Sequence, residues 1–128
     1  MYKLAAALGY ATVQTKIGFC YTNGIGVAID TAEAVKWFKL AAEGGNAVAQ
    51  HSLGKCFYHG KGVDVDKPEA FKWYKLAAEV GDADAQNSLG ICYANGDGIA
   101  FDKVEAIKWL TRAADAGNTG AHHNLRTL

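Results

Sequence analysis

The chain has 128 residues, half of them hydrophobic, and its 13 basic residues balance its 13 acidic ones. That composition excludes an intrinsically disordered segment, and zero net charge offers no surplus of Lys and Arg to hold a nucleic acid. No apolar run approaches the roughly 18 residues of a membrane-spanning helix, so neither nucleic acid nor membrane is expected as a partner.

The chain opens on Met1-Tyr2-Lys3-Leu4-Ala5-Ala6-Ala7-Leu8-Gly9, which lacks the basic region and apolar length of a secretory leader. Self-similarity gives a better account of it. Trp37, Trp73 and Trp109 stand 36 residues apart, and the same interval links Gly18, Gly54 and Gly90, Cys20, Cys56 and Cys92, and Asp30, Asp66 and Asp102. About half the positions of residues 46–81 and 82–117 are identical. The register defines full units at 10–45, 46–81 and 82–117. Residues 1–9 are expected to be the tail of a preceding unit, cut in mid-helix, with its break at Gly9. Residues 118–128 are expected to be the opening helix of a unit whose second helix is absent.

Each unit reads as two helices, A and B. In the second unit, helix A covers about Ala47 to Tyr58, with Ala49, Leu53, Cys56 and Phe57 at helical spacing. Gly45 closes the previous helix and Asn46 can cap the next, a role repeated by Asp82 and Asn118. The glycines of His59-Gly60-Lys61-Gly62-Val63 end helix A. Helix B opens at Asp66, with Glu69 placed to reach back in a capping box that recurs at Asp30/Glu33 and Asp102/Glu105. Ala70, Trp73, Tyr74, Ala77 and Ala78 form its expected buried stripe. Small alanines let helices approach within roughly 8–10 Å, and the tryptophan is expected to fill the volume between them.

The pattern Ala-Gln-x-x-Leu-Gly-x-Cys-Phe/Tyr-x-x-Gly-x-Gly-Val/Ile-x-x-Asp-x-x-Glu-Ala-x-Lys-Trp, followed by Ala-Ala-x-x-Gly, resembles the Sel-1-like repeat, a class of the tetratricopeptide-type helical repeats. The resemblance covers essentially the whole chain. It implies an all-α, right-handed α-solenoid of antiparallel helix pairs, with helix A lining the concave side and a role as adaptor or scaffold. Cysteine-rich members of the class carry two cysteines per unit, joined as a disulfide; this chain has one per unit.

Several constellations invite a chemical reading and yield to a structural one. The three cysteines occupy equivalent positions one helix pair apart, beyond the roughly 7 Å that a disulfide spans, and are expected to be small buried core residues. Gly24/Gly26, Gly60/Gly62 and Gly96/Gly98 lack the preceding strand and third glycine of a phosphate-binding fingerprint. His51 and His59 are about 12 Å apart along one helix, and His122 and His123 lie elsewhere, so no metal site and no cofactor is expected. Ser52 and Ser88 are repeat-equivalent helix residues without an elbow or triad. Glu33/Lys36, Glu69/Lys72 and Glu105/Lys108 are i,i+3 neighbours suited to a solvated outer face.

The functional signal lies in what fails to repeat. Opposite the apolar stripe, a second stripe of helix A varies from unit to unit. It carries Thr12, Thr15, Phe19, Thr22 and Asn23, then Val48, His51, Lys55, Tyr58 and His59. Next come Asp84, Asn87, Ile91, Ala94 and Asn95, and last Gly120, His123 and Thr127. The resemblance places this stripe in the concave groove, and its mixture of aromatic, apolar and amide groups suits a peptide-binding face. Tyr58 and Phe19 are the expected anchors. The reading is therefore a non-catalytic module that binds a partner peptide or helix, without a catalytic residue. The alternatives are a hydrolase acting on a cell-wall or peptide substrate, with Lys55 near His51 as its poor candidate pair, and a structural spacer in a longer repeat protein. Single cysteines suggest a reducing, cytoplasmic compartment. Val13 and Ile17, faced only by the stub Leu4-Ala5-Ala6, and Leu125 and Leu128 at the other end leave open repeat faces, expected to favour self-association as a swapped or head-to-tail dimer.

Overall fold

A computed structural model describes the backbone from Tyr2 and the side chains from Gly9 through Leu128. Its helices are α1 (Tyr2–Asn23), α2 (Thr31–Glu43), α3 (Ala47–His59), α4 (Lys67–Glu79), α5 (Ala83–Asn95), α6 (Lys103–Asp115) and α7 (Thr119–Arg126). Helices α1, α3, α5 and α7 are the A helices; α2, α4 and α6 are the B helices. Each packs on its neighbours in sequence, which makes an α-solenoid with a repeat of about 36 residues.

The break expected at Gly9 does not form, because α1 runs through it to Asn23. The reason lies in the following residue. Gly45, Gly81 and Gly117 adopt left-handed backbone, with φ of 94°, 99° and 96°, and each precedes an Asn or Asp whose side chain accepts the N–H three residues on. Gly9 precedes Tyr10, which has no short side-chain acceptor, so nothing starts a new helix there. The side chains of the stub Leu4-Ala5-Ala6 lie outside the described residues.

The A-to-B turn is closed mainly by backbone. Gly60, at φ 73°, donates its N–H to Cys56 O at 2.9 Å, and Asp66 N–H reaches Phe57 O at 2.8 Å. Asp66 Oδ1 accepts Glu69 N–H at 3.1 Å, while the Glu69 carboxylate turns to Lys72. The expected capping box is thus half formed, since the Asp66 N–H already has a carbonyl partner. Gly62 has a different role: a Cβ there would run into the backbone of Thr31, as one on Gly98 would into that of Lys67, because these two turns cross the start of the preceding B helix.

Close approach of A and B helices sets the core. A Cβ on Gly54 would lie 2.7 Å from the Tyr74 ring, and Gly18 and Gly90 meet Phe38 and Leu110 in the same way, at 2.6 Å. Phe38, Tyr74 and Leu110 are buried, whereas Trp37 and Trp73 are only half-buried and Trp109 alone reaches burial. The wedge expected of the invariant tryptophan therefore belongs to the variable residue after it. Between units, Gln50 and Gln86 donate to Ala42 O and Ala78 O at 3.2 Å, satisfying carbonyls near the end of the previous B helix. Ala49, Ala85 and Ala121 are fully buried against that helix, but their equivalent Val13 is 53% exposed and Tyr10 beside it 66% exposed.

Cys20, Cys56 and Cys92 are free thiols; Cys92 is buried and the other two only half-buried. Burial pushes the Cys92 thiol up to about 12 and raises Cys56 as well. Native alkylation is expected to be slowest at Cys92, with three thiols released on denaturation; a reactive Cys92 in the folded chain would contradict its packing. Gly54→Val is expected to cost about 1–3 kcal/mol through overpacking and Tyr74→Ala about 3–5 kcal/mol. Because both act on one contact, the cost in a Gly54→Val/Tyr74→Ala double variant should fall below the sum of the single costs, measured by denaturant unfolding.

Candidate functional site

Three clefts open in succession on the A-helix face. The first, about 100 Å³, lies between α1 and α3 and is walled by Phe19, Thr22, Lys55, Cys56, His59 and Lys61. A second, about 410 Å³, lies between α3 and α5, where His51, Lys55, Tyr58 and His59 face Asp84, Asn87, Ser88 and Ile91. The third, about 270 Å³, lies between α5 and α7 and includes Ile91, Ala94, Asn95, Asn124 and Thr127. Their floors are Phe38, Tyr74 and Leu110, the residues that pack on the A-helix glycines. Lys55 and His59 line both the first and second clefts, and Ile91 both the second and third.

Seven residues of the variable stripe meet in the central cleft: His51, Lys55, Tyr58, His59, Asp84, Asn87 and Ile91. Phe19 belongs to the first cleft and Asn95 to the third. Thr12, Asn23 and His123 are exposed but lie outside these clefts. Thr15 leaves the set. It is 5% exposed, and its hydroxyl donates to Ala11 O at 2.8 Å, so the face it occupies looks inward.

Much of the stripe is engaged within the protein. His51 Nε2 lies 3.1 Å from Ser88 Oγ, and the repeat-equivalent pair is Asn124, donating to Asn87 Oδ1 at 2.9 Å. Asn118 Nδ2 donates to Asp84 Oδ1 at 2.9 Å. These bonds join successive A helices along the clefts. Tyr58 OH donates to Asp97 Oδ2 at 2.6 Å, Lys67 Nζ lies 3.5 Å from Asp97 Oδ1, and the same ammonium sits 4.1 Å from the Tyr58 ring centroid. Burial and the Asp97 bond together hold the Tyr58 phenol up at about 12. Phe19 packs edge-on against Phe38, with ring centroids 5.1 Å apart. Sequence spacing missed Ser52, Ser88 and Asn124, which line successive clefts one repeat apart. Their helical position next to the varying stripe was the available signal.

The His51–Ser88 contact brings together a pair that could suggest nucleophilic catalysis. Its counterpart Asn87–Asn124 occupies the same place without any acid–base capacity, which marks both as helix cross-links. Burial holds the His51 imidazole below 6.5, Lys55 lowers it further, and Asp82 and Asp84 oppose the shift. His59 is lowered too, by burial and then by the field of Lys61, Lys55 and Lys67. Among the described residues, no group of three or more His, Cys, Asp or Glu side chains is placed to hold a metal ion, and no helix is long and apolar enough to cross a membrane.

The sequence matches the Sel1 repeat over residues 11–46, 47–82 and 83–118, one residue later than the units read from the spacing. The chain belongs to the Sel1 repeat family. Its fold is similar to that of c5321, a protective antigen of uropathogenic Escherichia coli with an SLR fold, at 44% identity and TM-score 0.89 over 94% of this chain. A Sel1 repeat protein from Oxalobacter formigenes is similar at 36% identity and TM-score 0.85 over 89% of this chain. Cysteine-rich protein B (HcpB) of Helicobacter pylori shares the fold at 21% identity and TM-score 0.74, over 94% of this chain and 93% of its own. The chain spans 26% of the first relative and 47% of the second. No curated protein matches it significantly. Sel1 repeat proteins are generally non-catalytic protein-interaction scaffolds.

A pH dependence follows from His51. Its folded-state pKa is depressed, so below about pH 6.5 the unfolded chain binds a proton that the folded chain refuses, and stability falls with pH. The melting temperature at about pH 5.5 is expected to lie below that at about pH 7.5. The gap should narrow in His51→Asn, which installs the amide of the next unit; an unchanged gap would assign the effect elsewhere.

Proposed function

We propose that this Sel1 repeat chain is a non-catalytic interaction module that takes a segment of a partner protein along the groove of its A-helix face. The observation that carries this reading is the run of three clefts joined through shared walls, Lys55 and His59 between the first two and Ile91 between the last two. Such a row of half-open, mixed polar and apolar depressions suits an extended or helical segment better than a small molecule, which takes one enclosed pocket. The hydrogen-bonded His51, Asp84, Asn87 and Tyr58 hold the walls at fixed spacing, so a partner meets a preorganised surface. Lys55, His59, Ile91 and Asn95 are the wall residues offered to it. The exposed apolar face of Val13 and Tyr10 fits a further repeat or a second copy.

Peptides selected on the full chain from a random display library provide the test. Ile91→Asp is expected to weaken a selected peptide by about 2 kcal/mol, the scale of an interface anchor. Lys72→Glu, on the B-helix face where Lys72 pairs with Glu69, should change binding little. Equal losses from both, or peptide-induced NMR shifts confined to α2, α4 and α6, would remove the groove assignment.

A further inference from the structure

The chain is neutral, yet its charges are divided between the two helix sets. Asp84 is the single acidic residue on the described A helices, which carry Lys16, Lys55 and Arg126. The other acidic residues lie on B helices, caps and turns. Within the groove the division is sharpest at the first cleft. Its floor and inner wall are Phe19, Ala34, Phe38 and Cys56, and its rim is Lys55, His59 and Lys61, with no carboxylate among the lining residues. Lys36, Lys67, Lys72 and Lys108 have carboxylate partners, whereas Lys55 and Lys61 are exposed and form no ion pair among the described residues. The His59 imidazole is lowered first by burial and then by Lys61, Lys55 and Lys67, which all disfavour a further positive charge there.

Resting on the groove reading, we infer that the cleft between α1 and α3 recognises an acidic, apolar-anchored peptide segment. One aliphatic side chain of the partner enters toward Phe19 and Phe38, and a neighbouring Asp or Glu meets Lys55 and Lys61. The cleft's volume of about 100 Å³, that of roughly three waters, suits an anchor of one short aliphatic group. Because Lys55 and Lys61 rim this same cleft, the carboxylate and the anchor must be near neighbours in the partner's sequence. The opposite wall of the central cleft carries Asp84, which repels a carboxylate placed further toward α5 and fixes the direction in which the acidic residue is read.

The test uses acetylated, amidated decapeptides of Gly and Ser carrying one Glu and one Leu at varied spacing, with Gln and Lys in place of Glu as counterparts. Binding to the full chain is read by fluorescence anisotropy at low and high salt, and its location by backbone NMR shifts. At least one Glu–Leu spacing is expected to bind at low salt, about tenfold more tightly than its Gln counterpart, and to weaken in high salt. A Lys55→Glu/Lys61→Glu variant should reverse the preference toward the Lys peptides while melting as the parent does. If Gln and Lys peptides bind as tightly as Glu peptides, with shifts at Thr22 and Cys56, the acidic preference is overturned and the groove reading stands. Shifts confined to the B-helix face would overturn both, and failure of every Glu peptide to bind would overturn the inference.

Discussion

The structure depends on one close contact made once per repeat: an A-helix glycine against a bulky B-helix side chain. Gly18, Gly54 and Gly90 leave no room for a Cβ before Phe38, Tyr74 and Leu110. With the A helix held this near, the alanines at 41, 42, 77, 78, 113 and 114 become the surface on which the next unit packs, and they are buried there. Close packing at this density makes the arrangement sensitive to single methyl groups. It also carries the pitch of the solenoid from unit to unit, because each A helix is fixed against its own B helix before it meets the following one.

That same contact builds the clefts. Phe38, Tyr74 and Leu110 reach through the glycine gap to become cleft floors, so the residue that sets helix spacing also forms the base of the cleft. Walls are then held apart by cross-links whose chemistry varies while their positions repeat, His51–Ser88 in one interval and Asn87–Asn124 in the next. Polar residues along a groove are easily read as contacts for a partner. Here several are already bonded to one another and form a rigid frame, whereas Lys55, His59, Lys61 and Ile91 stand on the cleft walls outside those cross-links.

Charge is handled the same way. The acids that cap B helices, Asp30, Asp66 and Asp102, are consumed by backbone N–H groups at helix starts, and three glutamates are paired with lysines on the outer face. Such exposed pairs add little to stability. Their consequence is spatial: acids are spent on caps and B helices, so the A-helix face inherits an excess of cations in a chain with no net charge.

The sequence by itself determined the repeat, the helix pairs, the caps and the family, because each rests on local rules with a fixed period. Asn46, Asp82 and Asn118 start helices wherever the chain places them, and Gly60 ends one by adopting a backbone that other residues avoid. The variable stripe was legible too, and most of it meets in the clefts. Tertiary structure alone decided the rest. It showed Thr15 turned onto its own helix, α1 continuous through Gly9, Tyr74 in the wedge assigned to Trp73, and Ser88 brought beside His51. These outcomes turn on which groups from neighbouring units come within a few ångströms. A periodic pattern fixes the face on which a residue lies, but not the neighbour that packing sets against it.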